Sequence, residues 1–248
     1  MIELKNANQL ACMRKAGRIV AETHALIREH AKPGVTTLEL DRIAEEYIRA
    51  QGAIPAFKGY NGFPATLCTS VNEQVVHGIP GLRLLESGDI ISIDCGALIE
   101  GYFGDAAVTL PIGEVGADLQ KLLRVTEESL MLGIAQAKIG NRLYDVSYAV
   151  QTHVEENGFS VVRDYVGHGI GRAMHEDPQI PNFGKPGRGP RLEVGMALAI
   201  EPMVNMGTYE VQTLKDRWTV VTKDNRPSAH FEHTVAITEN GLEILTRC

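Results

Sequence analysis

Leu10, Met13, Gly17, Val20, His24 and Ile27 recur at steps of three and four, the stripe of an amphipathic helix. A second stripe, Leu40, Ile43, Ala44, Tyr47 and Ile48, follows Thr36-Thr37-Leu38-Glu39, which reads as a capping box, and precedes Gly52 as a C-terminal stop. Leu143, Val146, Val150 and Val154 predict another helix ending before Gly158. Between them lie short apolar runs that open on a turn and end on an acid. Ile90-Ile91-Ser92-Ile93 leads to Asp94, and Ala197-Leu198-Ala199-Ile200 leads to Glu201. Their length and flanking glycines favour strands.

These elements repeat. Ala31-Lys32-Pro33-Gly34 and Ala137-Lys138-Ile139-Gly140 share their offset with Gly52 and Gly158, and the two strand-like runs follow at nearly the same distance. Asp105-Ala106-Ala107-Val108-Thr109 is echoed by Glu232-His233-Thr234-Val235-Ala236 after a longer excursion. The expectation is a single α+β domain over residues 1–248, with related halves at roughly 8–112 and 116–241, each two helices plus an antiparallel hairpin. Residues 57–69 and 178–190, rich in Gly and Pro, read as surface loops.

Composition narrows the function. The chain has 248 residues, 44% hydrophobic and 22% charged, with net charge −7, which does not suggest a basic nucleic-acid or membrane-binding surface. No apolar run approaches a membrane helix, and MIELKNANQL lacks a secretory apolar stretch. Cys12, Cys68, Cys95 and Cys248 form no CxxC pair. Together these features predict a cytoplasmic protein of a reducing compartment.

The acids carry the chemistry. A hairpin turning about Ile99-Glu100 would set Asp94 opposite Asp105 with Cβ atoms about 4.5–5.5 Å apart. Two like charges so placed repel unless a cation lies between them. Glu201 and Glu232 recur at equivalent points, and His168, inside Gly167-His168-Gly169, adds a nitrogen donor. Such a set fits two transition-type divalent ions, which bridging carboxylates can hold roughly 3.5–4 Å apart. Competing motifs fail. Gly167-His168-Gly169-Ile170-Gly171 is not GxGxxG, His175-Glu176-Asp177-Pro178-Gln179 lacks the second His of HExxH, and GxSxG and P-loop patterns are absent.

Asp94, Asp105, His168, Glu201 and Glu232, in the contexts IDCG, GDAA, GHGIG, EP and FEHT, resemble the D-D-H-E-E metal set of the methionine aminopeptidases. VNEQVVHGIP around His77 and MHEDPQIPNFG around His175 resemble their short bacterial type I form. The resemblance spans the chain and implies the pita-bread fold, shared with aminopeptidase P, prolidase and creatinase. It implies two divalent ions (Co, Mn, Fe or Zn), with Asp94 on one ion, Asp105 and Glu232 bridging, and His168 and Glu201 completing the other. A bridging hydroxide would attack the first peptide carbonyl, Glu201 would shuttle the proton, and His77 and His175 would hold the substrate and polarise its carbonyl.

By the same resemblance Tyr60, Phe63, Cys68 and Trp218 wall a methionine pocket, with Phe57 and Met174 as further candidates. Phe63 and Met174 stand where relatives often carry Tyr and Phe. Asn72, Gln74 and Ser228 align with a monovalent-cation site of some relatives. The implied substrates are nascent polypeptides with a small second residue, met at the ribosome by a monomer. The alternatives are a prolidase-like X-Pro hydrolase and a metal-free binding module of the same fold.

Overall fold

The computed structural model describes residues 1–247. The first half contains α1 (Ala7–His30), α2 (Thr37–Ala50), β1 (Ile54–Pro55), β2 (Leu67–Val71), β3 (Gln74–Val76), β4 (Ile90–Ile99) and β5 (Tyr102–Pro111). The second begins with α3 (Ala117–Gln136), α4 (Leu143–Glu156), β6 (Ser160–Val161), β7 (Gly167–Gly169), β8 (Glu176–Ile180) and β9 (Ala197–Ile200). It ends with β10 (Met203–Asn205), β11 (Val211–Thr213), β12 (Val220–Thr222), β13 (Ser228–His230), β14 (Glu232–Thr238) and β15 (Gly241–Ile244).

The helices follow their stripes. α1 buries Leu10, Met13, Gly17, Val20 and Ile27, and α4 buries Leu143, Val146, Val150 and Val154. The predicted box at α2 is half made. Thr36 Oγ1 accepts from the Glu39 N–H at 3.1 Å, while the Glu39 carboxylate pairs with Arg42 instead. A reciprocal box closes α1, between Asn6 and Gln9. Gly34 and Gly140 share a left-handed backbone (φ 88° and 93°), as do Gly52 and Gly158 (75° and 84°).

An antiparallel sheet in the order β1-β4-β5-β14-β9-β7-β8 joins the two halves, with β2 also on β4 and β15 on β14. Alternation along its strands separates core from cleft. Ile91, Ile93, Cys95 and Ala97 pack with Ile19, Val20, Leu40 and Ile48 of α1 and α2. Leu198, Ile200, Val235 and Ile237 pack with Leu122, Leu130, Val146 and Val150 of α3 and α4. The in-between residues, Asp94, Asp105, Ala107, Glu232 and Thr234, therefore point to the face away from the helices.

The hairpin register differs from expectation. The turn is Glu100–Gly101, with φ 52° and 78°, so Gly96 pairs with Asp105 and Asp94 with Ala107. A two-residue turn with φ positive at both positions matches strand twist, and Gly101 takes the second position without steric cost. Asp94 and Asp105 are thus diagonal neighbours on one face, not directly opposed. The two expected loops are also shorter, because residues 67–69 belong to β2 and residues 178–180 to β8. Cys12, Cys68 and Cys95 are free thiols; Cys248 lies outside the described residues.

Candidate metal centre

Strand register assembles the acids. Asp94, Ala107 and Glu232 form a row across β4, β5 and β14, and His168, Ala199 and Thr234 form another across β7, β9 and β14. Alanines between the functional residues leave open space over the sheet. Thr234 Oγ1 accepts from the Asp105 N–H at 3.1 Å and donates to its C=O at 2.7 Å, locking that strand position. Glu201 follows β9 directly, and Asn182 Nδ2 donates to its carbonyl at 2.9 Å.

His168 Nδ1 lies 2.9 Å from the Gly169 carbonyl, which makes Nδ1 the protonated nitrogen. The Nε2 lone pair then faces Asp105 Oδ2 at 3.9 Å and Glu201 Oε1 at 3.6 Å. Donor atoms of Asp105, His168 and Glu232 lie within 4.8 Å of one another, and so do those of Glu201, His230 and Glu232. Glu232 belongs to both groups.

The donors fit cations. Asp94 Oδ1, Asp105 Oδ1 and Glu232 Oε1 are screened from water and have no hydrogen-bond partner. Buried carboxylate oxygens without partners are strongly destabilising, and divalent ions would satisfy all three. Burial pushes the Asp94 carboxyl up to about 7 and that of Glu201 up to about 8. Burial, then neighbouring carboxylates, hold Asp105 and Glu232 well above the usual range. Ions can bind only as these protons leave. Between about pH 6 and pH 8 the affinity for Co(II) or Mn(II) should therefore rise, with protons released and the release shrinking as pH climbs past the raised values. Calorimetry in buffers of different ionisation heat reads this directly, and proton-neutral, pH-independent binding would contradict it.

A cleft of about 190 Å³ opens over these groups. Its lining includes Asp94, Asp105, His168, Glu201 and Glu232 together with His77, His175, Tyr60, Phe63, Cys68 and Trp218. Phe57 lines it too, whereas Met174 packs behind the wall. A Cβ at Gly96 would come within 2.9 Å of both Phe57 and Met174, so only glycine lets that wall approach β4. Phe63 meets Trp218 edge-on at 5.1 Å. His77 sits in a left-handed backbone (φ 60°) with its ring edge-on to Tyr165 at 5.6 Å. His175 Nδ1 is 2.8 Å from the Tyr60 hydroxyl, and its ring centroid is 4.3 Å from that of His168. Burial lowers His77 to about 4 and lowers His175 as well, so both rings are neutral near pH 7.

Asn72 and Ser228 meet through a backbone bond, Ser228 N–H to Asn72 C=O at 2.9 Å, while the Gln74 amide oxygen accepts from the Val71 N–H at 2.9 Å. Asn61, Tyr165 and His230 were not anticipated. His230 lies between the apolar Ala229 and Phe231, where nothing in the pattern marks it, and Asn61 and Tyr165 sit in irregular segments that no periodicity marks.

Residues 11–239 match the sequence profile of metallopeptidase family M24. The chain is 61% identical to methionine aminopeptidase 1 of Bacillus subtilis, covering 100% of both chains. It is also 61% identical to a methionine aminopeptidase of Clostridium perfringens, covering 99% of each. The crystal structure of methionine aminopeptidase from Thermotoga maritima superposes with a TM-score of 0.98 at 48% identity, covering 100% of both. A prolidase from Pyrococcus furiosus shares the fold at a TM-score of 0.80 and 23% identity; the match covers 99% of this chain and 65% of the prolidase.

Proposed function

We propose, from the premise that the chain belongs to metallopeptidase family M24, that it is a methionyl aminopeptidase removing the N-terminal methionine of polypeptides. Its α+β architecture is the pita-bread fold of its structural neighbours. The observation that carries the reading is the pair of three-donor groups sharing Glu232 beneath a cleft with an aromatic wall.

Asp94, Asp105, His168, Glu201 and Glu232 would hold two divalent ions, with Co, Mn, Fe and Zn all compatible with an oxygen-rich set containing imidazole. Bound there, such ions supply Lewis acidity and lower the pKa of water. The side chains do the rest. Phe57, Tyr60, Phe63, Cys68 and Trp218 enclose an unbranched thioether and exclude water from it. Tyr60 fixes His175 through Nδ1, leaving Nε2 to meet the substrate carbonyl, and His77 contacts the peptide from the Trp218 side. Glu201 accepts a proton from the attacking water and returns it to the departing amine.

The substrates in this reading are nascent chains with a small second residue, processed at the ribosome in the cytoplasm by a monomer that is one duplicated catalytic domain. A monovalent cation would be held near Asn72, Gln74 and Ser228. Among the described residues no helix is long and apolar enough to cross a membrane. A Met-X-Ser peptide series, run anaerobically with added Co(II), Mn(II) or Fe(II), tests the activity. Methionine should be released when X is Ala or Gly and retained when X is large, with X-Pro dipeptides poor substrates. No methionine release with any ion, or preferential cleavage of X-Pro dipeptides, would overturn it.

A further inference from the structure

We propose that His230 is a sixth donor to the ion pair, entering through Nε2 between Glu201 and Glu232; the assignment rests on the dinuclear reading above. His230 ends β13 and is 1% exposed. One residue locks its backbone on both sides. Thr109 Oγ1 accepts from the His230 N–H at 2.9 Å and donates to the His230 C=O at 2.7 Å, and the Thr109 hydroxyl is itself paired with the Ser92 hydroxyl at 2.9 Å. The backbone that carries the ring is therefore fixed on both sides.

His230 Nε2 lies 3.5 Å from Glu201 Oε2, and a ring nitrogen of His230 lies within 4.8 Å of a Glu232 carboxylate oxygen. No hydrogen-bond partner meets Nε2, although it is closed off from water. A buried ring nitrogen in that state has lost its hydration without compensation. An ion shared with Glu201 and Glu232 provides the missing partner. His168 already shows the same arrangement, an Nε2 facing two carboxylates. The two donor groups are then alike in kind: Asp105 and His168 with Glu232, and Glu201 and His230 with Glu232. A second imidazole makes the centre softer than one with a single histidine, which favours Co(II) or Zn(II) over Mn(II).

Proton NMR of the full-length protein loaded with Co(II) tests this. A cobalt-bound imidazole coordinated through Nε2 keeps its proton on Nδ1, and that proton shifts far outside the ordinary range and vanishes in D2O. Two such resonances are expected. His230→Gln should remove one and His168→Gln the other, and His230→Gln should release one of two Co(II) ions about tenfold more readily or worse. Two Co(II) bound with one exchangeable resonance, untouched by His230→Gln, overturns the assignment and leaves the dinuclear reading standing. Failure to bind Co(II) at all overturns both. The resonance count in the unsubstituted protein decides the matter even if a variant does not fold.

Discussion

Replacing Glu232 with Gln is expected to strip the protein of stoichiometric metal and to lower kcat/KM on a Met-Ala-Ser peptide by on the order of 10³-fold or more. Glu232 is the member common to both donor groups, so its loss is expected to affect both ions of the proposed pair rather than one. An amide of the same shape fills the space but brings no charge to offset divalent cations. The stability effect has the opposite sign. Glu232 is held well above the ordinary carboxylate range by burial and by Asp105, Glu201 and Asp94. A folded-state pKa raised above the unfolded value weakens the ion-free fold once pH exceeds the unfolded value, near 4. Ion-free Glu232→Gln should therefore melt at a higher temperature than the ion-free parent at neutral pH. Elemental analysis, peptide kinetics and a thermal melt read the three effects. Parental metal content and activity would remove Glu232 from the centre.

His175→Ala is expected to cut turnover by about 10²–10³-fold while leaving metal content and melting temperature near those of the parent. His175 lies in neither donor group, and its Nδ1 is engaged by the Tyr60 hydroxyl, so in the proposed reaction the free Nε2 is what the substrate would lose. The segment around it has its own fastening. Lys5 and Glu176 form a buried ion pair, and Glu176 Oε1 also accepts from the Ala173 N–H at 3.1 Å. Truncating His175 leaves these bonds in place. A melt that collapses as for a core substitution would make the residue structural, and unchanged kinetics would remove it from the reaction.

Much of this was readable from residue pattern because carboxylates at the ends of apolar runs are physically anomalous. Asp94 and Glu201 close runs that otherwise belong to the core, and such acids need a partner. The α1 and α4 stripes were equally plain. The register of the Asp94–Asp105 hairpin was not, because it hinges on whether Ile99-Glu100 or Glu100-Gly101 forms the turn, and only the backbone at Gly101 decides. Both aspartates share a face in either register, since the observed pairing sets Asp94 opposite Ala107 and Gly96 opposite Asp105. β2 was hidden among the Gly and Pro of residues 57–69, and β6, at two residues, is too short for any periodicity. His230 sits between Ala229 and Phe231, where a histidine looks like ordinary core; its meaning emerges only once β13 brings it beside Glu201.

The most direct test is an anaerobic titration of metal-stripped protein with Mn(II) or Co(II), counting ions per chain while following methionine release. Saturation is expected at two ions per chain, with activity absent before the first addition and Glu232→Gln binding neither. Methionine release by the metal-free chain, or ions that bind equally well to Glu232→Gln, would contradict it.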